Sequence, residues 1–252
     1  MTEYDDLDWL YEVLYASHSD AFYETEFLEQ MKPILNLNQR IHDASCGNGI
    51  QAVALAKQGF RVSASDISAN MVRLTQERAK NAGVSLAAFT ASWLELPRRA
   101  EKYDVILCYG NSISHSLSKE HRIKNLSALR DALADNGRLV LDTRNWENIQ
   151  NETYNLYPPR EYAGRTFIPI YIWNFNADNN TSAVDIIFIE AGDNTLLTHK
   201  KRLTFSMFSH AELIAEVSAI GFEIQADSYH SAGREYTLIL KKTAPSRDEP
   251  SQ

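Results

Sequence analysis

The most chemically pointed stretch of this chain is Asp43-Ala44-Ser45-Cys46-Gly47-Asn48-Gly49, followed by Asp66 at the end of the next apolar run. Glycines without a Cβ let the backbone approach a ligand closely, and an acid at the tip of a second strand accepts hydrogens from both hydroxyls of a ribose. The pair of features implies a ligand that carries a nucleoside. Gly47-x-Gly49-x-x-Ala52 also satisfies the dinucleotide fingerprint, so the loop alone leaves two cofactor classes open. Asp43 favours one of them. A carboxylate just before the loop repels a pyrophosphate and attracts a ligand bearing an ammonium and a sulfonium. The bland alternative is a glycine turn that only reverses the chain, with Asp43 capping the helix after it.

Short apolar strands alternating with helices must position these residues. The patterns predict a strand at 40–44, a helix at 51–58, a strand at 60–65 and a helix at Ala69–Asn81. They continue with strands at 84–89 and 103–109, a helix at 119–134, and a strand at 138–142 entered through Asp135-Asn136-Gly137. Such alternation means βαβ units and a doubly wound, mainly parallel α/β sheet. Residues 1–36 read as an aromatic N-terminal helical lid. From 147 to 205 the helical period is replaced by alternating stretches at 167–175, 183–189 and 195–205, an antiparallel insertion. Ser209 then caps a helix stopped by Gly221, strands follow at Phe222–Asp227 and 236–242, and residues 243–252 read as a disordered tail. The whole chain is expected to be one domain.

A formal charge of −8 argues against a broad face for nucleic acid or an anionic membrane, so a small-molecule partner is expected. The acidic start Met1-Thr2-Glu3-Tyr4-Asp5-Asp6 lacks the basic and apolar regions of a signal peptide, and no apolar run approaches a membrane span; the expected location is cytoplasmic. Cys46 and Cys108 fit reduced packing thiols, and no histidine falls in a metal-ligand spacing, so no metal is implied. An assembly of several copies is compatible with the sequence.

Asp43-x-Ser45-x-Gly47-x-Gly49, Asp66-Ile67-Ser68-x-x-Met71 and Tyr103-Asp104-Val105-Ile106 together resemble the ordered motifs of class I S-adenosylmethionine-dependent methyltransferases over residues 40–142. The resemblance implies a Rossmann-like seven-stranded sheet and S-adenosylmethionine as cofactor. By it Asp43, Ser45, Gly47 and Gly49 border the methionine part, Asp66 holds the ribose with Ile67 and Met71 nearby, and Ser92 and Trp93 border the adenine. Many members carry an acid where this chain has Ser92.

Gly110-Asn111-Ser112-x-x-His115, after Cys108-Tyr109, and Asp142-x-Arg144-Asn145 are similar to the glycine and sarcosine N-methyltransferase group, as are Leu14-Tyr15 and Ser92-Trp93-Leu94. In that group Arg144 would hold a substrate carboxylate, Asn111 and Tyr15 would lie beside the acceptor amine, and Cys108 and His115 would line the cofactor pocket. Trp146 stands where the group often has tyrosine, and Thr204-Phe205-Ser206-Met207 lacks the tyrosines placed near its acceptor; Tyr229 is the candidate replacement. Two plainer roles compete with these: Asn111 hydrogen-bonding its own turn, and Arg144 pairing with Asp142 or Glu147.

The implied reaction is an in-line attack of an amine lone pair on the methyl carbon, catalysed mainly by positioning. The expected acceptor is a small amine, an amino acid or N-methylated amino acid such as glycine, sarcosine or dimethylglycine. Alternatives are an N- or O-methyltransferase of a secondary metabolite and a cofactor-binding partner protein without catalysis.

Overall fold

The computed structural model describes residues 8–15, 20–149, 153–192 and 195–243. Two helices come first, α1 (Asp8–Tyr15) and α2 (Asp20–Met31). The α/β alternation then runs β1 (Arg40–Asp43), α3 (Ile50–Lys57), β2 (Arg61–Asp66), α4 (Ala69–Asn81), β3 (Ala87–Thr90), β4 (Tyr103–Cys108), α5 (Lys119–Ala132) and β5 (Leu133–Arg144). After the short α6 (Trp146–Ile149) come β6 (Tyr154–Leu156), β7 (Arg160–Tyr162), β8 (Arg165–Asn176), β9 (Thr181–Ala191) and β10 (Leu196–Ser206). The chain returns to the first sheet through α7 (His210–Ala219), β11 (Phe222–Asp227) and β12 (Glu235–Lys242).

Seven strands lie in the order β11-β12-β5-β4-β1-β2-β3. Those from β3 to β5 are parallel, whereas β12 runs antiparallel to both neighbours. The middle strands read as near-continuous apolar runs because helices cover both faces: Val105 to Cys108 and Leu139 to Leu141 are all buried. Chain order reverses on either side of β1, which pairs with β2 and β4, and a crevice opens where such a reversal occurs at the carboxyl ends of the strands.

Helix starts follow their caps. Ser68 Oγ accepts the Met71 N–H at the head of α4, and Ser209 with Glu212 forms a capping box at the head of α7. The expected strand at 138–142 is longer, from Leu133 to Arg144. Its Asp135-Asn136-Gly137 turn is absorbed as an irregularity in the pairing with β4, with Asn136 at φ 59°, instead of ending the ladder. The helix expected to reach 134 stops at Ala132 because Leu133 is already extended, and the strand expected at 84–89 lies at Ala87–Thr90. In the N-terminal segment α1 and α2 are separate helices; residues 16–19, and the expected tail from 244 onward, lie outside the described residues.

The insertion forms its own antiparallel sheet, β10-β9-β8-β6, with β7 paired to β8. Two cross-strand rows matter below. Trp173, Val184 and Leu203 are partners in one, and Tyr171 and Ile186 in the next.

Candidate active site

A cleft of about 690 Å³ lies between the carboxyl ends of the parallel strands, the inner face of the insertion and α1. Ser45, Gly47, Asp66, Ile67, Ser92 and Trp93 line one end, and Asn111, His115, Arg144, Tyr171, Leu203 and Phe205 the other.

The first end is built by the turn after β1. Gly47 has φ 51°, and a Cβ on it would come 2.7 Å from the Tyr11 hydroxyl, so only glycine fits under α1 there. Asp66 holds the turn: one carboxylate oxygen accepts the Gly47 N–H at 3.0 Å and the other the Ser68 N–H at 2.9 Å. A carboxylate has about four acceptor sites, so ribose hydroxyls can be added to these bonds. Asp43 is 1% exposed; its Oδ1 accepts the Ser45 N–H at 3.3 Å, while Oδ2 is buried with no hydrogen-bond partner. Burial, with the Asp66 charge adding to it, pushes its carboxyl up to about 7. An orphaned carboxylate oxygen and a glycine cradle that a Cβ would fill suit a cationic nucleoside ligand.

Helix α1 is clasped to this loop. Glu12 accepts a hydrogen bond from the Asn48 amide at 2.7 Å and pairs with Arg78 at 3.1 Å, and Arg78 Nε donates to the Asn48 carbonyl at 2.9 Å. From the insertion, Arg160 donates to the Val13 carbonyl at 3.2 Å. At the same end of the cleft, Trp93 Nε1 donates to the Ala44 carbonyl at 2.7 Å, which ties the indole to the loop after β1. Ser92 caps its own turn, with its N–H and hydroxyl both donating to Glu95 Oε2.

The second end turns on Asn111, held at φ 63° after β4. Its Oδ1 accepts from Ser114 Oγ at 2.7 Å, Thr143 Oγ1 at 3.1 Å and the Arg144 N–H at 3.1 Å. Ser114 in turn accepts from Trp146 Nε1 at 3.1 Å. Asp142 Oδ1 accepts the Gly110 and Asn111 N–H groups, and burial raises its carboxyl to about 7. Asn111 therefore does the work of its turn, as the plainer reading had it, while its buried Nδ2 has no hydrogen-bond partner and the residue still lines the cleft.

Arg144 forms no ion pair with Asp142 or Glu147; its guanidinium carbon stands 5.0 Å from the centroid of the Trp173 ring, and its buried Nε has no hydrogen-bond partner. His115 Nδ1 lies 3.0 Å from the Thr204 carbonyl, which makes Nδ1 the protonated nitrogen and Nε2 an acceptor. Burial lowers its pKa to about 4 against the raising effect of that bond, and the Arg144 charge lowers it further.

Several expected site residues lie elsewhere. Met71 and Cys108 are fully buried in the core and do not reach the cleft. Gly49 packs against α4, where a Cβ would come 2.9 Å from Thr75, and Asp43 sits behind the loop instead of on its surface. Tyr229 is not at the acceptor end: it follows β11 at the sheet edge, stacks on His210 at 4.0 Å and reaches Glu147. Tyr15 closes α1, and its side chain lies outside the described residues. Tyr11, Tyr109 and Tyr171 supply the phenolic rings that line the cleft. Tyr11 stands one helical turn before Tyr15, and that spacing was the available signal. For Tyr171 there was little signal, because Ile168, Ile170 and Ile172 make the opposite face of β8 apolar as well.

Among the described residues no three His, Cys, Asp or Glu side chains converge as a metal site, and no helix is long and apolar enough to cross a membrane. Residues 41–137 match the family model of a methyltransferase domain. The chain is similar to the glycine/sarcosine N-methyltransferase of Halorhodospira halochloris, 35% identical over 126 residues that cover 50% of this chain and 47% of that one. It thus spans about half the length of the curated relatives it matches first. In fold it is similar to an S-adenosylmethionine-dependent methyltransferase from Clostridium acetobutylicum, with TM-score 0.75 at 13% identity over 96% of this chain and 100% of that one. A second fold likeness is an S-adenosylmethionine-bound amino pentose methyltransferase from Micromonospora echinaspora, with TM-score 0.74 at 15% identity, covering 93% and 97%. Residues 41–137 thus match a methyltransferase domain, and the fold is the one shared by S-adenosylmethionine-dependent methyltransferases.

Proposed function

We propose that this domain transfers a methyl group from S-adenosylmethionine to the nitrogen of a small amine that carries a carboxylate, an amino acid or N-methylated amino acid of the class that includes glycine, sarcosine and dimethylglycine. The observation that carries the reading is Arg144, whose buried Nε has no hydrogen-bond partner and whose guanidinium lines the acceptor end of the cleft. Its planar fork matches a carboxylate through two parallel hydrogen bonds. The resemblance of 35% to a glycine/sarcosine N-methyltransferase over half of the chain supports the same chemistry.

The cofactor brings a methyl carbon already activated by its sulfonium. This chain's residues then need to hold the partners in line and exclude water. Asp66 would hold the ribose, Asp43 would act on the cationic end by its charge from behind the loop, and Tyr11 with α1 would close the loop over it. The Asn111 amide would donate to the acceptor beside Arg144. With its ring pKa lowered to about 4, His115 is too weak a base to store a proton at neutral pH, so the amine would enter already neutral.

A panel of amino acids, their N-methyl derivatives and the matching carboxylate-free amines, incubated with S-adenosylmethionine and read by mass spectrometry, tests the proposal. Gain of a methyl unit by the carboxylate-bearing members is expected. Transfer only to carboxylate-free amines or to hydroxyl groups would overturn it. A second reading, methylation of an amine on a larger sugar-like molecule, draws on the fold likeness to an amino pentose methyltransferase.

A further inference from the structure

We infer that the acceptor is an amino acid with an apolar side chain well beyond glycine in size, its carboxylate at Arg144 and its side chain laid along the inner face of the insertion. The inference rests on the N-methyltransferase reading above and narrows it.

The two rows of the insertion sheet supply the geometry. Arg144 stands over Trp173, which pairs across the strands with Val184 and then Leu203. The neighbouring row places Tyr171 opposite Ile186. Rows two residues apart along a strand are about 7 Å apart, farther than a molecule the size of glycine extends from a gripped carboxylate. Yet Tyr171, Val184, Ile186, Leu203 and Phe205 all line the same cleft as Arg144, and four of these five side chains are hydrocarbon alone. Lys201, next to Ile186 in the second row, is not among the lining residues, so this stretch of wall carries no charge.

An acceptor without a side chain would leave that wall facing water. Water against buried aliphatic and aromatic surface is unfavourable, and covering it with a Leu- or Phe-sized side chain stabilises a complex by an amount equal to roughly 10- to 100-fold in affinity. Of the polar groups that line the cleft, Arg144, Asn111 and His115 gather on the β4 and β5 side, whereas the lining residues from β8, β9 and β10 are apolar or aromatic except Thr204. A molecule with a carboxylate and amine at one end and an apolar body at the other matches that division.

Competition between matched acceptors tests the inference. With S-adenosylmethionine saturating, kcat/KM is measured for glycine, alanine, norvaline, norleucine and phenylalanine. The expected result is a rise on the order of 10-fold or more from glycine to the six-carbon or aromatic members. Tyr171→Ala should shrink the ratio of phenylalanine or norleucine to glycine by on the order of 10-fold, and Tyr171→Phe should keep it, since the ring and not the hydroxyl forms the wall. Calorimetric binding of S-adenosylhomocysteine reports whether each variant keeps its cofactor site. Preference for glycine, or a ratio indifferent to Tyr171→Ala in a folded variant, would overturn the inference and leave the methyltransferase reading in place. Methylation of none of these amino acids by a chain that binds the cofactor would overturn the amino-acid reading itself, and this inference with it.

Discussion

The Asn111 Oδ1 accepts the backbone N–H of Arg144 at 3.1 Å, which fixes the end of β5 against the loop after β4. The same oxygen takes two hydroxyl donors, so the amide is the hub through which Trp146, Ser114 and Thr143 set where Arg144 begins. Asn111→Ala leaves those donors buried without an acceptor, and unsatisfied donors cost about 1–3 kcal/mol. A lower Tm and a raised KM for the acceptor are expected together. Asn111→Asp keeps the accepting oxygen and tolerates the left-handed backbone, so thermal melts should find it less damaged than Asn111→Ala. Equal melting losses for the two would mean that the hub is not what Asn111 supplies.

Asp66 binds two backbone N–H groups and faces the cleft. Asp66→Ala should weaken S-adenosylmethionine binding on the order of 10- to 100-fold, because charge-assisted hydrogen bonds are worth about 1.5–3 kcal/mol. Part of the loss should appear as a lowered Tm without ligand, as the Gly47 and Ser68 donors lose their partner. Calorimetry that returns an unchanged affinity would put the ribose elsewhere.

How far the site was legible follows from which physics wrote each residue. The loop from Asp43 to Gly49 and the acid Asp66 could be read because a turn after one strand and the tip of the next leave few residue types that work. Arg144 was legible for a similar reason, since it stands at the carboxyl end of a strand whose apolar run is plain. Tyr229 misled because its place was inferred from its type alone: it lies on the edge turn after β11, bound to Glu147 and His210. Tyr171 was hidden because apolar residues on both faces of β8 erase the period that tells inside from outside. Met71 and Cys108 carry the motif pattern as packing: Met71 on α4 and Cys108 on β4 are both buried in the main core cluster.

Asp43 links pH to both stability and binding. Its carboxyl is pushed up to about 7 from 3.8 by burial first, so the folded chain keeps a proton that the unfolded chain has released. Stability therefore falls as pH rises from about 4 to 7, and this contribution levels off above that. A cationic cofactor favours the ionised form, so S-adenosylmethionine affinity should strengthen from roughly pH 6 to 8. Asp43→Asn should flatten that rise and weaken S-adenosylmethionine more than S-adenosylhomocysteine. Asp142, also raised to about 7, remains in the variant and should preserve part of the pH dependence of Tm. Equal losses for both ligands would return Asp43 to a structural role.

Arg122 on α5 and Glu216 on α7 form a bidentate pair at 2.7 and 2.6 Å, both nearly inaccessible. Such a pair adds little over apolar packing, but removing one partner leaves a buried charge uncompensated. Glu216→Ala should cost about 3–5 kcal/mol in denaturant unfolding, and Arg122→Met with Glu216→Leu should recover most of it. A single variant as stable as the parent would mean that water reaches this contact.

On the proposed function, Arg144 is the residue that decides the acceptor. It stands at the carboxyl end of β5, where open α/β sheets bind ligands, with its position set by Asn111 and its guanidinium resting at 5.0 Å over Trp173. Lysine would keep the charge but lose the planar fork and its stacking on the indole, which makes the substitution a test of geometry and not of charge. If the acceptor carries a carboxylate, Arg144→Lys should raise its KM by roughly 10-fold or more, at about 1.4 kcal/mol per decade, with little change in cofactor affinity. The matching amine without the carboxylate should be a poor substrate of the parent chain and nearly indifferent to the change, because it never used the fork. Trp173→Leu should raise the same KM in the same direction by removing the ring on which the guanidinium rests. A parent chain that methylates carboxylate-free amines best, with Arg144→Lys kinetically silent, would remove the amino-acid assignment and leave the cofactor half of the site untouched.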